Sequence, residues 1–315
     1  MSTLQEILFN YFKNNSIKKR HPLLTPRKAS IIDLNTANAL FAEIINSGIP
    51  FGYQQANCHN ISHYISLLLE SKGYQCAKIW AFAPVVYSSY SSRIISFPDK
   101  KKLSPNGAID WGYHVAPVLK VRMGTKVRKM VIDPGLFPKG PVRYRTWIAK
   151  LKTRKLIYLI MDSEWYLFNS STIPNSQILP NPDIIKPNIK LPDWFSDKHI
   201  TDFFKYEEDS LNEHWIEKGL AVNETTETFY NKEIKPILNS NLQEDILNDY
   251  KMLVGNVFNF ETVFRDHKFN SEMNDDFQLK HQKIITKYRE IYLVNLNKWQ
   301  NSLSELNEII RKKFV

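Results

Sequence analysis

The chain has 315 residues, 43% hydrophobic and 23% charged, enough to bury a sizeable core and expected to fill two structural units. Two cysteines exclude a disulfide framework, and no run approaches the roughly 18 apolar residues of a membrane span, so no transmembrane segment is expected. The formal charge of +10 invites a nucleic-acid reading, but the basic bursts at Lys18, Lys100 and Lys150 have no nucleic-acid motif beside them. No specific nucleic-acid partner is expected; such a surface equally steers an acidic protein or an anionic membrane.

In chain order, residues 1–50 read as an N-terminal helical segment, broken irregularly between Lys18 and Arg27. Its opening residues alternate acidic and apolar side chains and lack the basic-then-apolar order of a signal peptide. The protein is therefore expected in the cytoplasm, or exported into another cell by a secretion system that needs no such signal. Residues 51–170 read as a mixed helix-and-strand core. Gly52, Gln54, Gln55 and Asn57 form a polar lead-in, after which Ile61, Tyr64, Ile65, Leu67, Leu68 and Leu69 follow a helical pattern that stops at Gly73. Cys58 falls in the first turn of that helix, where unpaired amides and the positive end of the dipole favour a thiolate nucleophile. Cys76 opens an apolar run expected to pack in the core.

Val115 to Val121 and Val127 to Ile132 read as a hairpin. A two-residue loop at Met123 and Gly124 would set His114 directly opposite Asp133 on the same face, a base beside a carboxylate that orients it. Pro134 ends the second strand and leaves the carboxylate at its tip. Asp110 is the alternative orienter, although its neighbours read as loop. His59 and His63 stand one helical turn apart, a metal-gripping spacing, but no further ligands accompany them and no metal or cofactor is expected. Residues 171–193, with Pro174, Pro180, Pro182, Pro187 and Pro192, read as an extended connecting segment. Residues 194–315 read as a helical C-terminal region. Its last helix, from about Asp275 to Lys312, carries a stripe of Ile284, Tyr288, Ile291, Tyr292, Trp299, Leu303, Leu306 and Ile310, able to pack at home or against a binding partner.

The Cys58 helix, the run from Trp111 through Tyr113 and His114 to Pro117, the run from Val131 through Asp133 to Gly135, and then Pro141, Val142, Thr146 and Trp147 together resemble the bacterial protein-glutaminase family. The resemblance spans Phe51 to Lys150. It implies an α+β fold: a papain- or transglutaminase-like core whose nucleophile helix packs on an antiparallel sheet, here extended by the helical C-terminal region. It also implies hydrolytic deamidation of glutamine side chains in proteins, through a Cys58 thioester with His114 and Asp133 completing the triad. The substrate would be a protein bearing an accessible Gln, and a bacterial effector acting on a host protein fits the pattern. Oxyanion donors are expected from the Cys58 N–H and from a side-chain amide of Asn57, Gln54 or Gln55, with Trp111 and Tyr113 lining the substrate slot or packing in the core. His59 directly after the nucleophile, Gly112 between Trp111 and Tyr113, and the whole C-terminal half depart from the family pattern. A transglutaminase or cysteine protease would use the same triad, and an interaction protein acting through its C-terminal helices is the non-enzymatic alternative. The helical region is expected to select the target and to be dispensable for hydrolysis of a small peptide.

Overall fold

The computed structural model describes residues 29–52, 57–82, 95–104, 107–151, 156–170, 189–190, 200–206, 214–240, 244–255 and 257–313. The expected N-terminal helix before residue 29 and most of the proline-rich connecting segment lie outside them. The chain is α+β and divides into two compact units: Met1–Ile45, Ser62–Ser96 and Asp110–His214 in the first, Asn46–Ile61, Phe97–Ile109 and Trp215–Val315 in the second.

In the first unit, strand β1 (Ile31–Asp33) leads into helix α1 (Leu34–Asn46). Asp33 caps that helix, accepting from the Thr36 N–H and hydroxyl at 2.8 Å each. Ala37, Leu40, Phe41 and Ile44 form its buried stripe. Helix α2 (Cys58–Ser71) begins in the second unit and continues from Ser62 in the first. It stops as its sequence predicts, with Gly73 at φ +87° and the Gly73 and Tyr74 N–H groups donating back to Glu70 and Leu69. Strand β2 (Ala77–Phe82) is buried throughout.

Strands β3 (Ile95–Pro98) and β4 (Ala108–Trp111) form a two-stranded ribbon, so Asp110 lies in a strand rather than a loop. The main sheet has the order β7-β6-β5-β2-β8, with β5 (Tyr113–Met123), β6 (Lys126–Val131), β7 (Val142–Arg143) and β8 (Ile157–Asp162); β1 adds to β5 in parallel. Helix α3 (Tyr144–Lys150) follows β7 and buries Trp147. A second sheet, β10 (Ile189–Lys190), β11 (Ile200–Lys205) and β9 (Trp165–Ser170), is antiparallel. Residues 200–205 are thus a strand, and among the described residues of the C-terminal region the first helix starts at Trp215.

One buried charge ties α2 to this sheet. Lys78 Nζ donates to the Trp165 carbonyl at 2.8 Å and lies 2.6 Å from His63 Nδ1. Burial pushes its ammonium down to about 7 from an ordinary 10.5. Between those values the unfolded chain holds a proton that the folded chain has shed, so stability rises with pH; below about 7 the full cost of the buried charge is present. Lys78→Met keeps the volume and removes the titration. Its Tm is expected to climb less than the parent's from mildly acidic to mildly alkaline buffer, and parallel Tm curves would mean that Lys78 stays charged throughout.

In the second unit, helix α4 (Trp215–Phe229) runs through a π-turn (Tyr230–Ile234) into α5 (Lys235–Ser240). Then come α6 (Glu244–Val254), α7 (Val257–Phe260) with the π-turn Glu261–Arg265, and the long α8 (Asp275–Lys313). The stripe of α8 is Ile285, Tyr288, Tyr292, Trp299, Leu303 and Leu306, and it packs at home along α4. Polar pairs set that register: Asn295 Nδ2 donates to Thr225 Oγ1 at 2.8 Å and Trp299 Nε1 to Glu224 Oε2 at 2.7 Å.

Candidate active site

His114 and Asp133 meet, but not as a directly opposed pair. The hairpin loop is Gly124 and Thr125, one residue further along than the strand pattern predicts, and Val118 faces Val131. Ile132 still donates its N–H to the Pro117 carbonyl at 2.9 Å. Pro117 has no N–H to return, so the ladder ends there and the chain turns at Asp133 and Pro134. Asp133 therefore sits two residues off the position opposite His114. An offset of two keeps both side chains on one face and makes them diagonal neighbours.

The contact is direct: His114 Nε2 lies 2.8 Å from Asp133 Oδ2, and both side chains are buried. A carboxylate only accepts, so Nε2 carries the hydrogen and Nδ1 is the basic nitrogen of the neutral ring. Trp147 Nε1 donates to the same Asp133 Oδ2 at 2.7 Å, and the Leu136 N–H reaches Oδ1 at 3.3 Å. Burial alone would push the Asp133 carboxyl up; the charge on His114 and the hydrogen bonds from His114, Trp147 and Leu136 outweigh it and hold the group below its ordinary value. The imidazole stacks on Trp111 at 4.5 Å and on Trp147 at 5.5 Å, each 19° from parallel. These aromatic faces restrict its rotation.

Tyr113 lies on the opposite face of β5, stacked on Trp80 at 6.1 Å and Phe82 at 6.4 Å. Strand alternation makes this unavoidable for a neighbour of His114. Of the two aromatic residues expected near the site, Trp111 stacks on the imidazole and Tyr113 on the Trp80 and Phe82 side of the strand. Trp147 belongs to the sequence motif, but no local pattern marks it as the donor to an Asp 14 residues earlier.

Cys58 is the first residue of α2, half-buried, in the second unit. Asn57 precedes it with φ +56°, and its carbonyl accepts the Ile61 N–H at 3.0 Å, which makes it the N-cap. The Asn57 amide is engaged at both ends, with Nδ2 donating to Asn223 Oδ1 at 3.1 Å and Oδ1 accepting from Asn60 Nδ2 at 2.6 Å. Gln54 and Gln55 lie outside the described residues. Among the described residues, no cluster of three His, Cys, Asp or Glu is placed to hold a metal ion. His63, one half of the metal-like spacing, faces Lys78.

The two cysteines differ in exposure. Cys76 is 3% exposed, and burial pushes its thiol up to about 11. Iodoacetamide at neutral pH is expected to label half-buried Cys58 well ahead of Cys76, scored by peptide mass spectrometry. Equal labelling of the folded protein would remove the case for Cys58 as the accessible thiol.

Residues 35–151 match the model of a family described as glutaminase. No curated protein matches the chain. Among solved structures, it is similar to a crystal structure of protein-glutaminase, with 18% identity, 64% of this chain and 90% of the other covered, and a TM-score of 0.40. It is likewise similar to the NMR structure of protein-glutaminase from Chryseobacterium proteolyticum, with 19% identity, the same two coverages and a TM-score of 0.39.

Proposed function

We propose that this chain hydrolyses the side-chain amide of glutamine in protein substrates, yielding glutamate and ammonia, a reading supported by the match of residues 35–151 to the glutaminase family model. The observation that carries this reading is the buried His114–Asp133 pair, braced by Trp147 and lying wholly inside the matched residues. In the proposed reaction Cys58 Sγ gives its proton to His114 Nδ1 and attacks the γ-carboxamide carbon. The tetrahedral oxyanion is met by the Cys58 backbone N–H at the head of α2, with a further side-chain amide donor from Gln54 or Gln55. His114 then protonates the departing nitrogen, the C–N bond breaks, ammonia leaves and a thioester remains. Water, deprotonated by His114, attacks the thioester carbon; the C–S bond breaks and the imidazolium returns the proton to the thiolate. Asp133 holds the tautomer through both halves, and Trp111 covers the imidazole and lines the substrate slot.

The test is mass spectrometry of a glutamine-bearing protein incubated with the parent and with Cys58→Ala, alongside an ammonia assay. Exchange of NH2 for OH at glutamine, with one ammonia released per site and none by Cys58→Ala, is the expected result. Incorporation of an added primary amine in place of water would mark transamidation, and cleaved peptide bonds would mark proteolysis. Either outcome as the main product overturns the deamidase reading.

A further inference from the structure

The helix α4 carries three residues spaced four apart, Gly219, Asn223 and Glu227, which therefore share one face. All three meet the segment that leads into Cys58. Asn223 Oδ1 accepts from Asn57 Nδ2 at 3.1 Å. A side chain at Gly219 would run into the Asn57–Asn60 pair, its Cβ standing 2.6 Å from Asn57 Oδ1 and 2.8 Å from Asn60 Cγ. The Glu227 carboxylate lies against the backbone of Gly52, where a Cβ would be 2.5 Å from its Cδ, and Lys101 Nζ approaches the same carboxylate at 3.8 Å.

Two features separate this face from ordinary packing. Asn223 is 0% exposed in the interior of a helix between Val222 and Glu224, and its Nδ2 has no hydrogen-bond partner among the described residues. An asparagine so placed is a weak helix former and leaves a buried donor unsatisfied, so stability alone would favour an apolar side chain. A residue that breaks a local rule without stabilising its own helix is the kind retained at functional sites. Moreover, what Asn223 holds is Asn57, in the left-handed region at φ +56°, a conformation that persists only where its surroundings over-determine it. That residue sets the direction in which Cys58 enters α2.

We propose that the Gly219, Asn223 and Glu227 face of α4 is a positioning platform for the nucleophile turn, so that the C-terminal helical region is part of the catalytic machinery and not only a target selector. Asn223 and Gly219 are positioning residues: they act on Cys58 through Asn57. The inference rests on Cys58 being the nucleophile, and extends that reading by assigning the helical region a role in the chemical step.

The experiment uses the full chain and compares Asn223→Ala and Gly219→Ala with Asn295→Ala. This last variant removes the buried bond to Thr225 on another face of α4 and serves as the structural control. Three quantities are read: kcat and KM for ammonia release from a glutamine peptide, the rate of Cys58 alkylation against pH, and Tm. A misplaced nucleophile costs turnover on the order of 100-fold. The expected result is a loss of kcat approaching that size in Asn223→Ala and Gly219→Ala, with KM within about twofold, since ground-state binding is untouched. The pH profile of Cys58 alkylation shifts with it. Gly219→Ala is informative because its Cβ presses directly on the Asn57–Asn60 pair, so positioning predicts turnover lost per folded molecule beyond whatever the clash costs in Tm. Asn295→Ala lowers Tm and leaves kcat and the alkylation profile unchanged. Activity is expressed per folded molecule, so a loss in the α4 variants that merely tracks the unfolded fraction, or that Asn295→Ala reproduces, overturns the proposal. Turnover that survives Cys58→Ala removes the premise instead, which keeps the two failures distinct.

Discussion

Cys58→Ala and His114→Ala are each expected to abolish ammonia release while leaving the circular dichroism spectrum close to the parent's; Tm should hold in Cys58→Ala and fall in His114→Ala, which strips a buried partner from Asp133. Each change removes an atom on which every step depends: Cys58 forms and breaks the bond to carbon, and His114 moves the protons in both halves. Asp133→Asn should retain a trace of activity. An amide at 133 can turn its NH2 toward His114 Nε2, which then becomes the acceptor, and the proton moves to Nδ1, the nitrogen that must be basic. The loss for such a tautomer error is on the order of 10⁴-fold in kcat. An Asp133→Asn variant with parental kcat would show that another group orients the imidazole, and full activity in Cys58→Ala would refute the covalent mechanism.

Trp147→Phe is expected to lower kcat by about 10- to 100-fold, the worth of one hydrogen bond to a charged group. The phenyl ring preserves most of the stacking on His114 and removes only the indole donor to Asp133 Oδ2, 2.7 Å away. The same change has a signature in stability. The Asp133 carboxyl is depressed in the folded protein, so its contribution is present above the ordinary carboxylate value and is lost as pH falls through the folded one. Deleting one of the depressing bonds raises that folded value, and acid unfolding of Trp147→Phe should begin at a higher pH than in the parent. A variant with parental kcat and an unmoved acid transition would show that the indole is packing alone.

The parts of this protein that a reader of the sequence could locate are those written in short-range pattern. Helical spacing from Ile61 to Leu69 and the glycine after it bounded α2, because a 3.6-residue period and a left-handed stop are local properties of a backbone. Alternation in Val115 to Val121, with Asp-Pro after the next strand, marked the hairpin that brings His114 to Asp133. The one-residue error in its loop arose because Met123 and Gly124 look like turn material as much as Gly124 and Thr125 do, and only the ladder chooses between them. The strand at Ile200–Lys205 reads as the start of the helical region until β9 supplies its partner; β propensity takes its meaning from the neighbouring strand.

The decisive contacts about the site had no sequence signature of their own. Trp147 reaches Asp133 because α3 returns it to the sheet, 14 residues along the chain. Asn57 meets Asn223 across 166 residues, and no periodicity relates two amides so far apart. Sequence alone determined the chemistry on offer: a cysteine at a helix head, a histidine in a strand and an aspartate at a strand's tip. Tertiary structure decided which polar groups brace them, because hydrogen bonds between distant residues depend on how buried faces close together, and closure is a property of the whole core rather than of any segment.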